Sequence, residues 1–88
     1  MKKINFTKLK ILFLNYNQIS DINVLESIKF INLQVLFLNE NNISDINVLE
    51  KIKFENLKQI HLNNNLINKN KNSSLINNLK NKYKLFIS

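Results

Sequence analysis

The chain repeats itself with a period of 24, and this period constrains its fold more than any single motif. Residues 19–26 return unchanged as residues 43–50, and residues 28–30 return as residues 52–54. Ordering the residues of one such unit costs more conformational entropy than the burial of its own apolar side chains offsets, so one copy cannot fold alone. Successive copies are therefore expected to stack and to share a continuous core.

The start of each copy has the alternating spacing of a β-strand. Leu12 and Leu14 project to one face of such a strand, whereas Ile11 and Phe13 project to the other. We expect the leucine face to point into the core, which leaves the phenylalanine outside. Equivalent positions recur in the second and third copies, which predicts neighbouring strands.

The second half of each copy changes to a spacing of three. Ile22, Leu25 and Ile28 follow Ser20 and Asp21, two residue types that favour the start of a helix. A strand followed by a short helical return predicts parallel strands. The recurrence of Asp21 as Asp45 is interpreted as helix initiation rather than as a catalytic carboxylate pair.

The N-terminal end of the repeat array departs from the pattern. Ile4 and Phe6 fall in register with Ile28 and Phe30, so residues 1–8 are interpreted as a partial repeat. No amphipathic cap precedes Leu9, and this edge is expected to expose apolar side chains. The edge also offers a route to self-association.

At the other end, residues 73–80 predict a helical turn capped by serine, with Leu75, Ile76 and Leu79 inward. Residues 83–87 predict a fourth, closing strand. A period of 25 there places Leu85 beneath Ile60.

Composition excludes several function classes. The 88 residues include no Cys and no Gly, so they offer no disulfide, no thiolate zinc site and no glycine loop for phosphate. The longest apolar run has four residues, too few to span a membrane. His61 is the single histidine and lacks nucleophile or acidic partners at suggestive spacing. We therefore expect an intracellular, cytoplasmic protein with no enzymatic activity, metal or cofactor.

Residues 9–19, 33–43 and 57–67 resemble the leucine-rich repeat signature L-x-x-L-x-L-x-x-N-x-L. The length and the phrase I-S-D-I-x-x-L are similar to the short-repeat class of the phosphatase-1 regulatory subunit and bacterial internalins. The resemblance implies an α/β solenoid with a parallel sheet on its concave side and short helices or turns on its convex side. A single domain of residues 1–88 would comprise the partial repeat 1–8, repeats 9–32 and 33–56, a degenerate repeat 57–81 and the closing strand 82–88.

The resemblance also implies where a partner protein would bind. In this family the variable strand positions line the concave face and contact the partner. The corresponding residues are Ile11, Phe13, Tyr16, Val35, Phe37, Glu40, Gln59, His61 and Phe86. Outward apolar side chains here favour a non-catalytic protein-interaction module or scaffold. The alternative is that AT-rich coding filled exposed strand positions with β-forming residues.

Two further sets of residues are predicted to have a structural or an electrostatic role. By the same resemblance, Asn17, Asn41 and Asn65 form a structural asparagine ladder between turns. All positive charge in the net +7 comes from lysine, and one cluster lies near the C-terminus, at Lys69, Lys71, Lys80, Lys82 and Lys84. These lysines suggest either contact with RNA, as in an accessory protein of a ribonucleoprotein such as the ribosome, or a solvated surface.

Overall fold

Strands from successive sequence repeats lie side by side. The computed structural model describes residues 5–6 and 8–88, and the prediction for Ile4 lies outside them. Its strands are β1 (Asn5–Phe6), β2 (Ile11–Phe13), β3 (Lys29–Phe30), β4 (Val35–Phe37), β5 (Gln59–His61) and β6 (Lys84–Phe86). Its helices are two 3₁₀ helices (Asn23–Ser27 and Asn47–Glu50) and α1 (Ser73–Lys82). The protein is thus an α/β structure.

The main sheet is parallel throughout, with strand order β2-β4-β5-β6. Leu36 pairs with Leu12 on one side and with Ile60 on the other, each exactly one repeat away in sequence. Ile60 then pairs with Leu85, so the predicted lengthening of the period at this point is confirmed. One sequence repeat therefore leads the chain from one strand of the main sheet to its neighbour.

A second, two-stranded parallel sheet joins β1 to β3. Phe6 pairs with Phe30, again one repeat apart, as the register of the partial repeat predicts. The sequence pattern did not indicate that this pairing would form a separate sheet.

The core lies between the inner face of the main sheet and the return segments. Leu36, Leu38, Ile60 and Leu62 on the sheet side have no exposed surface. The return segments and α1 close the core from the other side with Ile22, Leu25, Ile46, Val48, Leu49, Leu75, Ile76 and Leu79. The predicted inward positions of the strands and of α1 are confirmed.

The return segments differ from the prediction in how they begin. They form short 3₁₀ helices, and no side chain caps them in the expected way. Instead, a carboxylate oxygen of Asp21 accepts a hydrogen bond from the N–H of Asn23 at 2.9 Å, and Asp45 does the same for Asn47 at 3.0 Å. Each aspartate thus closes a local turn in front of the helix.

The predicted serine cap of the last helix is also wrong. The helix begins at Ser73 but runs to Lys82, beyond the predicted turn, and the residue before it, Asn72, makes no side-chain capping bond. The amide of Asn72 instead donates to the carbonyl of Asn68 at 2.7 Å. Burial of the apolar face of α1 therefore accounts for this helix better than its cap does.

A buried asparagine connects the first two turns. Asn41 is only 5% exposed, and its Oδ1 accepts from the N–H of Ile19 at 3.1 Å. Its Nδ2 donates to the carbonyls of Leu14 at 2.9 Å and Leu38 at 3.0 Å. The side chain thereby satisfies backbone groups of its own turn and of the preceding one.

The asparagine of the next turn repeats this arrangement, whereas the asparagine of the first turn bonds within its own turn. Asn65 accepts from Ile43 at 3.1 Å and donates to Leu38 at 3.0 Å. Asn17 is exposed and donates within its own turn, to the carbonyls of Leu14 at 2.9 Å and Asn15 at 3.2 Å. Of these three asparagines, Asn41 and Asn65 therefore form the hydrogen bonds to a neighbouring turn.

Replacing Asn41 by alanine should lower the free energy of unfolding by about 2–3 kcal/mol, because the N–H of Ile19 loses its acceptor and the carbonyls of Leu14 and Leu38 each lose one donor in a buried position. Asn17→Ala is the matched control and should cost less than about 1 kcal/mol, since it breaks only exposed bonds. Urea titrations followed by circular dichroism measure both values. Equal losses for the two variants would contradict the role assigned to Asn41.

Candidate functional site

Four aromatic rings stack across the outer face of the main sheet, one from each strand. Phe13, Phe37, His61 and Phe86 are direct neighbours in the strand register. Their successive ring centroids are 4.6, 4.3 and 4.2 Å apart, with interplanar angles of 4°, 24° and 6°. These separations approach the roughly 4.8 Å between neighbouring strands, so the register itself produces the stack. We call these four residues the aromatic ladder.

The stacking determines which parts of the rings a partner can reach. The faces of Phe37 and His61 are covered by neighbouring rings on both sides. Phe13 stands at the end of the ladder and is 67% exposed. A stacked pair contributes about 0.5–1.5 kcal/mol beyond its buried area, so the rings stabilise the sheet as well as shaping its surface.

The neighbouring outward column changes from apolar to polar along the sheet. It consists of Ile11, Val35, Gln59 and Lys84 in successive strands. Ile11 is 45% exposed, so the β2 end of the face is apolar. At the β6 end, the ammonium of Lys84 lies 5.5 Å from the ring centroid of Phe86.

His61 is the one titratable ring in the ladder. Its Nε2 lies 3.1 Å from Oε1 of Gln59. Burial lowers the pKa of His61 below its ordinary value of 6.5, and the positive charge of Lys84 lowers it further. The neutral imidazole is therefore the favoured form between the two phenyl rings at neutral pH.

Tyr16 and Glu40, both predicted to contact a partner, lie in the turn that follows each strand. Their φ angles are 59° and 58°, and Asn64 has 59° at the same position of the third repeat. This left-handed conformation costs an ordinary residue roughly 1–2 kcal/mol, whereas Asn tolerates it better. Glu40 accepts a hydrogen bond from the amide of Asn64, and Tyr16 is strongly exposed. Neither residue takes part in the aromatic ladder.

Sequence reasoning missed a second set of asparagine bonds beside the ladder. The N–H of Asn39 donates to Oδ1 of Asn15 at 2.6 Å, and the N–H of Asn63 donates to Oδ1 of Asn39 at 2.8 Å. These side chains extend the pairing of neighbouring strands past the ends of β2 and β4. Asn occupies this position in all three repeats, whereas the neighbouring columns vary, and this pattern could have indicated the bonds.

The predicted lysine cluster is divided along the last helix. Lys69 and Lys71 precede α1, whereas Lys80 and Lys82 lie in its last turn. Ten helical residues span about 15 Å, so the two pairs do not form one compact patch. Lys84 lies on β6 and belongs to the outer face of the sheet.

The β2 edge of the core is less well covered than the interior repeats. Leu9, Leu12 and Leu14 are half-buried, whereas the leucines one repeat later have no exposed surface. This difference is the exposure of apolar side chains expected at that edge.

Comparisons with family models, curated proteins and solved structures give no match to this chain. Within residues 5–6 and 8–88, no helix combines the length and apolar character needed to cross a membrane. The same residues contain no cluster of three or more His, Cys, Asp or Glu side chains suited to a metal ion.

The lowered pKa of His61 predicts a pH-dependent stability. The unfolded chain binds a proton at His61 more readily than the folded one. The contribution of the neutral His61 to the free energy of unfolding is therefore complete above about pH 6.5, the pKa in the unfolded chain. This contribution is lost as the pH falls from there through the lower pKa of the folded chain. The free energy of unfolding, measured by urea titration between about pH 5.5 and 7.5, should decrease toward acid.

The variant His61→Phe is the control, because it keeps the stack and removes the titrating group. Its stability should be nearly constant over the same pH range. An equal pH dependence in the two proteins would show that the titrating group is not His61.

Proposed function

We propose that this chain is a leucine-rich repeat domain that binds a partner protein through the outer, concave face of its parallel sheet, without catalysing a reaction. Three features support the fold assignment. Strands recur once in each sequence repeat, short helical returns lie on the opposite side, and an asparagine at a fixed position bonds neighbouring turns.

The observation that carries the binding proposal is the exposed apolar end of the aromatic ladder. Phe13 and Ile11 are both exposed and lie on the same face of β2. Val35 and Phe37 continue this surface on the next strand. Aromatic side chains grouped in this way are typical anchors of protein interfaces, because they bury a large area at a small cost in side-chain entropy.

The geometry favours a protein partner over single-stranded nucleic acid at this face. Bases bind such platforms by stacking on free ring faces. The inner rings of the ladder, Phe37 and His61, already use both faces for each other and for their neighbours, so successive bases could not stack along the ladder, although the end ring Phe13 is exposed. The ring edges that remain suit contact with apolar side chains of a partner.

A catalytic role for the ladder has little support in its chemistry. A histidine base needs a nucleophile or a reacting proton within hydrogen-bond reach. The side-chain contacts of His61 are with Gln59, Phe37 and Phe86, none of which is a nucleophile. Its lowered pKa follows from burial among these groups rather than from a catalytic pair.

The double variant Phe13→Ser/Phe37→Ser should lose the partner protein. Purified tagged chains are used to capture proteins from a lysate of the native cells, and the captured proteins are compared by mass spectrometry. Proteins that the wild type retains should be depleted at least tenfold by the variant, since truncating a central aromatic anchor costs about 2 kcal/mol or more.

The matched control is Leu66→Ser, because Leu66 is 66% exposed, nearly as much as Phe13, and lies outside the main sheet. It should retain the same proteins as the wild type. Circular dichroism and urea titration establish that each variant is folded under the capture conditions. Capture of the same proteins by all three chains would contradict binding through the ladder.

A further inference from the structure

A groove crosses the return segments of neighbouring repeats, on elements that the main sheet does not include. Its first part has a volume of about 570 Å³ and lies between residues 26–30 and residues 51–54 of the next repeat. Its second part, of about 330 Å³, shares Lys53 and Phe54 with the first and extends to Lys82 and Tyr83 at the end of α1. We call the two parts together the return groove.

Lysines dominate the charged side chains that line the return groove. Lys29, Lys51 and Lys53 line its first part, and Lys82 joins them in the second. Lys29 and Lys53 occupy the same position of successive repeats, so the stacking of repeats brings them to one surface. The acidic residues in the lining are Glu26 and Glu55, so the groove has four cations against two anions. All four lysines are exposed and able to contact a ligand.

The side chains beneath the lysines are apolar and firmly packed. Phe30 and Phe54 are both buried, and their rings meet edge to face with centroids 4.9 Å apart. Leu57 and Tyr83 continue this buried layer in the second part of the groove. This packed layer forms the floor of the groove, and a ligand would contact the half-buried Ile28 and the aliphatic stems of the lysines, with the ammonium groups beside them.

We propose that the return groove binds an extended acidic segment of a partner protein, with carboxylates at the ammonium groups of the lysines and apolar side chains against Ile28 and the aliphatic stems of the lysines. An extended segment suits this site because the two parts share Lys53 and Phe54 and together reach from residues 26–30 to the end of α1. This site is separate from the aromatic ladder, so the proposal does not depend on the proposed function.

Two physical arguments select a peptide over a nucleic acid. Lysines would attract either polyanion, since both bring closely spaced negative charges. Exposed lysine–carboxylate pairs contribute at most about 1 kcal/mol each, so a specific complex also needs apolar contact. The aromatic rings of the groove are buried and packed edge to face, so they offer no open face for a base to stack on.

Fluorescence anisotropy with three labelled probes tests the proposal. The first probe is the peptide Glu-Leu-Glu-Phe-Glu-Glu-Leu-Glu, the second replaces its apolar residues with Ser, and the third is an oligothymidine of the same charge. The wild type should bind the first probe at least roughly tenfold more tightly than the others, because burial of even one large apolar side chain contributes about 1.5–3 kcal/mol.

Two lysine variants locate the binding site. Lys53 lines both parts of the groove, so Lys53→Gln should weaken binding of the first probe several-fold. Lys69→Gln removes the same charge at an exposed lysine outside the groove lining and should leave binding nearly unchanged. Both lysines are exposed, so neither change should disturb the fold.

Three results would overturn the proposal. Equal affinity for all three probes would show attraction by net charge alone, and equal effects of Lys53→Gln and Lys69→Gln would place the peptide elsewhere. A loss of probe binding in Phe13→Ser would assign the peptide to the aromatic ladder. Retained binding in Phe13→Ser is expected, and it would hold whether or not the ladder binds a protein of its own.

Discussion

The carboxamide of Asn41 bonds one turn of the chain to the turn before it, and the rest of the structure depends on this connection. It supplies an acceptor for Ile19 and donors for Leu14 and Leu38 from an almost fully buried position. An apolar side chain of similar size would leave the N–H of Ile19 without its acceptor and would remove one of the two amide donors at each of the Leu14 and Leu38 carbonyls. The bonds therefore require a neighbouring turn at one defined offset, and Asn65 imposes the same offset on the next pair.

Once the offset is set, each strand lies directly beside its equivalent in the next repeat, and columns of equivalent side chains run across the sheet. Inside, the columns form the leucine and isoleucine core. Outside, the same register brings Phe13 beside Phe37, and then His61 and Phe86, at separations that permit stacking. The outer rings are thus part of the packing of the sheet and also its most accessible apolar surface. On the return side, the same offset brings Lys29 and Lys53 to one groove.

The period of the sequence was sufficient to predict the strand pairing, the inward leucines and the shift of register at Leu85. It was not sufficient for features that depend on local backbone angles. The left-handed turn at Tyr16 and Glu40 could not be foreseen, because those residue types disfavour this conformation and the requirement comes from the surrounding turn. The 3₁₀ form of the first return and the start of α1 without a side-chain capping bond are likewise features of local backbone geometry, which the spacing of apolar residues does not specify.

The candidate surfaces were predictable to different degrees. An outward column of aromatic residues follows from alternation along the strands, but face-to-face stacking of its rings depends on side-chain angles that spacing alone does not determine. The return groove was missed because its lysines come from two return segments and from α1, which only the fold brings together, whereas the predicted cluster grouped lysines by their nearness in sequence. In the structure α1 separates Lys69 and Lys71 from Lys80 and Lys82, Lys82 lines the return groove, and Lys84 lies on β6.

The central claim is that the repeat register holds His61 between Phe37 and Phe86, and nuclear magnetic resonance of the imidazole protons tests it most directly. Rings at 4.3 and 4.2 Å should shift these protons upfield of their values in an unfolded peptide, and nuclear Overhauser effects should connect them to both phenyl rings. Shifts close to the unfolded values, with no Overhauser effect to either phenylalanine, would contradict the aromatic ladder and the register that produces it.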